Sequence, residues 1–318
     1  MRLAGLLVSL VVSAGAFAQA YPTRPVKVIV PWPPGQATDI AARMMAQRLQ
    51  DTLGQPFVVD NRPGAGGALG TEVAAKSPAD GYTILAASSG PMSIMPSLQK
   101  IPYEPLKDFT VVGLITRNPY ALVVNSSFPA ANAKEFIALL KANPDKYTFA
   151  SSGTGATAHL FAELFNTAAG IKARHIPYKG SAPAMTDVIN GQVSYTIETL
   201  ASVVGYLKSG RVRALGVSTA KRAGAMPEIP TLMEAADLQD FDVAAWIGYA
   251  LPAGAPREAV LRLSSEIQKS MQAADFRDKL LAAGLEPSVA TLEELPAFLR
   301  REQDRYAAVI RNANIKVE

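Results

Sequence analysis

The sequence predicts an α/β protein built as two doubly wound α/β lobes joined by two crossovers, each lobe holding a mostly parallel sheet. Three observations carry this. Short β-branched runs alternate with stretches of helical apolar spacing along most of the chain, the pattern of parallel sheets covered by helices. Two strand-like runs, Val111 to Val124 and Phe241 to Leu251, stand where the chain would pass from one lobe to the other and back. Several strands end in small, polar, glycine-containing turns that open into helices, and the outer ends of such strands are where open α/β sheets bind ligands.

The composition supports a full core. The chain has 318 residues, 49% hydrophobic and 18% charged, which is globular and long enough for two domains. Its start reads differently. Arg2, the apolar run Leu3 to Ala18, and Ala18-Gln-Ala20 form a secretory signal peptide over residues 1–20, with the mature chain beginning at Tyr21 in the periplasm. No other segment is apolar enough to cross a bilayer. There is no cysteine, so an exported chain of this kind rests on its core instead of disulfides. The net charge of +4 is scattered and falls short of a nucleic-acid footprint.

Taken in order, Val26 to Pro31 reads as a buried strand. Trp32-Pro-Pro-Gly-Gln-Ala-Thr-Asp39 is its turn, and Ile40 to Leu53 a helix capped by Thr38 or Asp39 and stopped at Gly54. Phe57 to Val59 is a second strand. The glycines of Asn61-Arg-Pro-Gly-Ala-Gly-Gly67 do not fit the dinucleotide fingerprint, because Leu69 stands where glycine is required; a tight turn into a helix at Thr71 to Ala75 is expected. Thr83 to Ala87 is a strand ending in Ser88-Ser89-Gly90. Pro119 inside Val111 to Val124 marks an edge, a bend or a crossover. The second lobe then reads as a helix at Ala133 to Ala142, strands at Tyr147 to Ala150 and Ala173 to Pro177, and a helix to Asn190. A strand from Val193 to Thr199, a helix at Val203 to Lys208 and a strand at Val212 to Ser218 follow. Ala223 to Asp240 reads as linker-like surface. Three helices, near 256–274, 276–283 and 291–312, are expected to return to the first lobe. The expected lobes are therefore 21–121 with 241–318, and 122–240.

The chemistry points to binding. Ser151-Ser-Gly-Thr-Gly-Ala-Thr157 joins a strand to a helix, with glycines for a tight turn and four hydroxyls beside the helix N-terminus. Unpaired N–H groups and the positive dipole end make such a turn attractive to an anion, a carboxylate being the simplest. Trp32 to Asp39 is built the same way. The Ser151 turn lacks the serine-hydrolase elbow and the phosphate-loop lysine, and no His/Asp/Glu cluster has metal-ligand spacing. His159, one of two histidines, is read as a ligand contact or a structural group. Trp32, Trp246 and Tyr178 are core or cleft wall. Glu198 hydrogen-bonds a ligand group or caps a helix; it would disfavour a second carboxylate unless protonated or bridged by water.

Several ordered blocks together resemble the substrate-binding receptors of tripartite tricarboxylate transporters, the Bug family. They are Tyr21-Pro-x-Arg-Pro25, Pro31-x-Pro-Pro-Gly-x-x-x-Asp39, Asn61-Arg-Pro-Gly-Ala-Gly-Gly67 and Asp80-Gly-Tyr-Thr83. Further on stand Ser152-Gly-Thr-Gly155 with His159-Leu, Pro177-Tyr-Lys-Gly180 with Pro183-Ala, Arg213-Ala-Leu-Gly-Val217, and Trp246 followed by Pro252-Ala-Gly254. The resemblance spans the mature chain. It implies a periplasmic binding protein of the Venus-flytrap type, closing on a small carboxylate through two pincer loops, here Trp32 to Asp39 and Ser151 to His159. It further implies that backbone N–H groups and hydroxyls hold the ligand, partly through water. Gln36 and Ser194 depart from the family's usual glycine and aspartate, and Gln36 is where specificity is expected to be set.

The expected ligand-binding residues are Trp32, Gly35, Gln36, Ala37 and Thr38 on one side, and Ser152, Gly153, Thr154, Gly155, Thr157 and His159 on the other. Ser88, Ser89, Tyr178, Glu198 and Thr199 are expected to line the cleft. Thr154→Pro, which deletes a backbone donor, is expected to weaken binding more than Thr154→Ala. The reading is a monomeric receptor, not an enzyme, without metal or other cofactor, that delivers a di-, tri- or aromatic carboxylate to a membrane permease. A receptor that presents its ligand to a sensor kinase, and an exported hydrolase, are the alternatives.

Overall fold

The computed structural model describes residues 21–144, 146–239 and 241–312. The expected signal peptide and its cleavage point lie outside them. The chain runs β1 (Val26–Val30), α1 (Ala37–Leu53), β2 (Phe57–Asn61), α2 (Ala68–Ala75) and β3 (Thr83–Ser88). A wide turn, Gly90–Ile94, leads to α3 (Met95–Leu98), α4 (Pro105–Asp108) and the long β4 (Phe109–Asn125). Next come α5 (Ala133–Ala142), β5 (Thr148–Ser151), α6 (Thr157–Ala169), β6 (Arg174–Pro177), α7 (Ser181–Ile189) and β7 (Tyr195–Thr199). The chain continues with α8 (Leu200–Lys208), β8 (Val212–Val217), α9 (Leu232–Ala236) and β9 (Ala244–Pro252), and closes with α10 (Arg257–Gln272), α11 (Ala274–Ala282) and α12 (Leu295–Asn312).

The strand order is β2-β1-β3-β9-β4-β7-β5-β6, with β8 also paired to β4. The outer arms, β2-β1-β3 and β7-β5-β6, are parallel. The crossover strands are not: β9 is antiparallel to β3 and β4, and β4 is antiparallel to β7 and β8. The mostly parallel expectation therefore holds for the arms and fails between them, because two strands running in opposite directions join the lobes. Pro119 sits where β4 changes partner. Phe109 to Pro119 pairs with β9, and from Tyr120 onward the strand pairs with β7. A proline, having no N–H to donate, suits such a change of ladder.

Each lobe buries apolar side chains on both faces of its sheet. Val28, Met45, Leu49 and Ile267 cluster on one face of the first lobe, and Ile29, Leu85, Trp246 and Leu299 on the other. In the second lobe Phe136, Phe149, Phe165 and Tyr195 occupy one face, and Val123, Met185, Val188 and Val203 the other. Helix α10 packs Ala259, Leu263 and Ile267 into the cluster that holds Val28, Met45 and Leu49. Helix α12 does more. Leu295 and Leu299 join the first-lobe cluster, whereas Tyr306 and Ile310 join the second, and Tyr306 Oη donates to the Ala244 carbonyl at 2.8 Å. Its apolar stripe is long enough to strap both lobes. Among the described residues no helix is long and apolar enough to cross a membrane.

Candidate functional site

Four helix N-termini meet where the lobes face each other. Helix α1 starts at Ala37 after Gln36, α6 at Thr157 after Ala156, α7 at Ser181 after Gly180, and α8 at Leu200 after Thr199. In none does the residue before the helix cap it with a side-chain hydrogen bond. Capping elsewhere is mixed: Asn132 accepts from Glu135 N on α5, and Thr231 with Glu234 forms a complete capping box on α9, whereas α2, α10 and α11 also lack a side-chain cap, so what sets the four apart is that they share one cavity. A helix end whose first N–H groups have no intrahelical acceptor needs another partner. Four such ends converging on one cavity make a concentration of donors and positive dipole ends suited to an anion.

The cavity between them is small, about 30 Å³. Trp32, Gln36, Ala37, Thr38, Ser88 and Ser89 line it from the first lobe, and Ser152, Thr157, Glu198 and Thr199 from the second. Those ten are sequence-predicted site residues. The remaining six lie elsewhere. Gly153, Thr154 and Tyr178 border a wider, mainly apolar groove of about 460 Å³ outside the cavity, alongside Trp32 and the Pro63 to Gly67 turn. Gly35 and Gly155 shape the two loops: both have positive φ, 84° and 75°, and their N–H groups turn inward to Asp39 Oδ2 and His159 Nδ1.

His159 is placed away from the cavity. Its ring stacks on His175 at 3.9 Å and lies near Phe149 at 6.2 Å, while Nδ1 accepts from Gly155 N at 3.3 Å. It holds the loop instead of lining the cavity, and this corrects the contact expected from sequence. Burial pulls its pKa down to about 4, and burial followed by repulsion from His159 pulls His175 down to about 3. At neutral pH both are neutral, so the 3.8 Å approach of Glu163 to His159 Nε2 is not an ion pair. The unfolded chain takes up these protons near pH 6.5, the folded chain only near 4 and 3. Stability is therefore complete above pH 6.5 and falls as pH drops toward 4. Each of the two histidines, His159 buried and His175 half-buried, contributes up to about 1.4 kcal/mol per pH unit in that window. We expect His159→Phe, which keeps a ring in the stack, to lose about 2 kcal/mol less than the wild type between pH 7.5 and 5.0 in urea unfolding. Equal losses would contradict the assignment.

The first loop is held by Asp39. Sequence points to Thr38 or Asp39 as the cap; the helix instead begins at Ala37, and Asp39 ties the turn together. It accepts from Gly35 N at 3.0 Å, Asn61 Nδ2 at 2.8 Å and Arg43 Nε at 3.0 Å. Burial raises its pKa, but the Arg43, Gly35 and Asn61 bonds together outweigh this and bring it below the usual value. Trp32 Nε1 donates to Ser88 Oγ at 3.0 Å, and Trp246 N to Ser89 Oγ at 2.7 Å. The two serines thus fix the wall as well as line it. Trp246 is buried, its Nε1 on Ser93 Oγ at 3.2 Å and its ring edge-on to Phe298, so most of it is core.

The lobes touch directly. Gln36 Nε2 donates to Ser181 Oγ at 3.1 Å, and Ser181 Oγ donates to Glu198 Oε2 at 2.7 Å. A methyl on Gly180 would stand 3.1 Å from the Pro33 ring, and one on Gly66 3.1 Å from the Thr154 carbonyl. The partner of Gln36 is thus the first residue of α7 and not the Ser151 loop. Sequence reasoning missed Ser181, Ser202, Asn118 and Tyr120, and it left Ala245 and Ile247 out of the site. Asn118 and Tyr120 flank Pro119, the one local sign that this strand changes partner beside the cleft. Ser181 follows Gly180 at a helix start, which is itself a local signal for a site residue.

The fold and this cleft define a two-lobed periplasmic binding protein. The family model described as the tripartite tricarboxylate transporter family receptor matches residues 41–315. Protein BugT of Bordetella pertussis is 38% identical over 312 residues, covering 96% of this chain and 94% of its own. A solved structure from R. palustris with adipate superposes with a TM-score of 0.90 at 34% identity, covering 93% of this chain and 99% of that one. The MatC structure from Rhodopseudomonas palustris with bound malate has a TM-score of 0.85 at 30% identity, covering 91% and 100%. The chain belongs to the tripartite tricarboxylate transporter receptor family, in its Bug branch.

Proposed function

We propose that the protein captures a small carboxylate between its lobes in the periplasm and hands it to the membrane permease subunits of a tripartite tricarboxylate transporter. The observation that carries this is the set of four uncapped helix N-termini, from both lobes, opening on one cavity. The hydroxyls of Ser152, Thr157, Thr199 and Ser202 line the same space and supply further donors to carboxylate oxygens. Relatives solved with adipate and malate support a carboxylate ligand, and family membership supports the permease as recipient. In this reading residues 21–121 with 241–318 form one jaw and 122–240 the other, with Ala37 and Thr38 facing Ser152 and Thr157 across the ligand and Gln36 bonded to Ser181 beside it.

Calorimetry with small mono-, di- and tricarboxylates, each beside its methyl ester, tests the reading. Charge-assisted hydrogen bonds are worth about 1.5–3 kcal/mol each. At least one free acid is therefore expected to bind about tenfold or more tighter than its ester. Equal binding of acid and ester throughout the series would sink it.

A further inference from the structure

One group in the cavity does not fit a site for anions alone. Glu198, at the end of β7, is only 3% exposed and lines the cavity. Its Oε1 accepts from Thr199 N at 2.7 Å and its Oε2 from Ser181 Oγ at 2.7 Å. Ser181 Oγ in turn accepts from Gln36 Nε2. The carboxylate is thus held by the first residue of α7 and the residue before α8, while a carboxylate offers about four acceptor positions in all. Among the described residues no Lys, Arg or His lines the cavity, and Glu198 is the sole carboxylate there.

We propose that Glu198 makes the cleft selective for ligands that pair a carboxylate with a hydrogen-bond donor, an ammonium or a hydroxyl, over carboxylates that carry none. The inference rests on the reading of the cleft as a carboxylate site. Two carboxylates sharing a cation-free, buried space repel, and the closer they stand the more one of them must be neutralised. The ligand carboxylate therefore takes the N-termini of α1 and α6, and the part of the ligand beside Glu198 must donate. Burial pushes the Glu198 carboxyl above its ordinary value, as expected of an acid whose charge has no cationic partner, and a ligand ammonium supplies that partner. The chain through Ser181 to Gln36 means that the residue reading the donor also touches the opposite jaw, so selection and closure are linked through one row of hydrogen bonds.

The test is calorimetry on the full mature chain with matched probes: succinate, malate and aspartate, and glutarate with glutamate. The wild type is expected to bind a donor-bearing member at least about tenfold tighter than its plain counterpart. Glu198→Gln, which keeps the shape and removes the charge, is expected to bring aspartate and succinate within about threefold of each other in a protein that still unfolds in one cooperative transition. Succinate and glutarate binding as tightly as their amino and hydroxy counterparts would overturn the inference and leave the carboxylate reading standing. A Glu198→Gln protein that keeps the full wild-type ratio would do the same. Binding of no member of the series by the wild type would overturn the inference, while the acid-and-ester calorimetry decides the carboxylate reading separately.

Discussion

Replacing Gly248 by alanine is expected to cost more stability than any other single methyl added to the crossover strands. Gly248 lies in β9, between β3 and β4, opposite Ala87 on one side and Leu114 on the other. A Cβ there would stand 2.4 Å from the Gly113 carbonyl oxygen, far inside contact distance, and the obstacle is backbone that cannot rotate away. Gly113 has no freedom to retreat, because its own Cα faces Ile267 of α10, where a methyl would come within 2.7 Å. Relief must come from parting β9 and β4, the strands that join the lobes. Overpacking of this kind costs about 3 kcal/mol, and at about 2–4 °C per kcal/mol the melting temperature should fall by about 6–12 °C. Gly205 provides the comparison. It lies within α8, and a methyl added to it would meet nothing within 4 Å, so Gly205→Ala should stabilise by about 0.4–1 kcal/mol through helix propensity and the unfolded chain. A Gly248→Ala melting temperature within a degree or so of wild type would show that β4 and β9 are not held as described.

Much of this architecture is written locally. The period-two and helical runs mark most strands and helices, and α5 occupies Ala133–Ala142 as its apolar spacing and Asn132 require. Gly54 stops α1 in a left-handed conformation, φ 72°, as a glycine at that place in the pattern predicts. The two loops at the ends of β1 and β5 are legible for the same reason, since glycine and hydroxyl residues before a helix have few other uses. What escapes a local reading is the relation between distant residues. Gln36 and Ser181 are bonded across the cleft although far apart in sequence, and no local pattern in either turn names its partner. The stacking of His159 on His175 depends on β6 lying beside β5. A histidine four residues beyond Gly155 reads equally well as a ligand contact until that neighbour is known. The reach of α12 over both lobes is of the same kind: its stripe shows that it packs, not against what.

The second large effect concerns ligand binding, and it falls at the first residues of α1 and α6. Thr154, the position favoured by sequence for a proline substitution, borders the outer groove. The cavity-lining first residues of the two helices are Ala37 and Thr157. Proline is well tolerated at the first position of a helix because the N–H it lacks has no intrahelical acceptor there. The preceding residues are already extended, Gln36 at φ −79°, ψ 159° and Ala156 at φ −68°, ψ 158°, which is the conformation a following proline demands. Ala37→Pro and Thr157→Pro therefore remove one donor each from opposite jaws at little cost to folding, and Thr157→Val controls for the lost hydroxyl.

The central claim, a carboxylate held between helix N-termini of both lobes, is tested most directly by calorimetry of these two proline variants with the tightest-binding carboxylate of the wild type. Each variant is expected to lose about tenfold or more in affinity, the worth of one charge-assisted hydrogen bond, while melting within about 2 °C of wild type. Full affinity in either variant would show that the ligand is not clamped between these two helix ends.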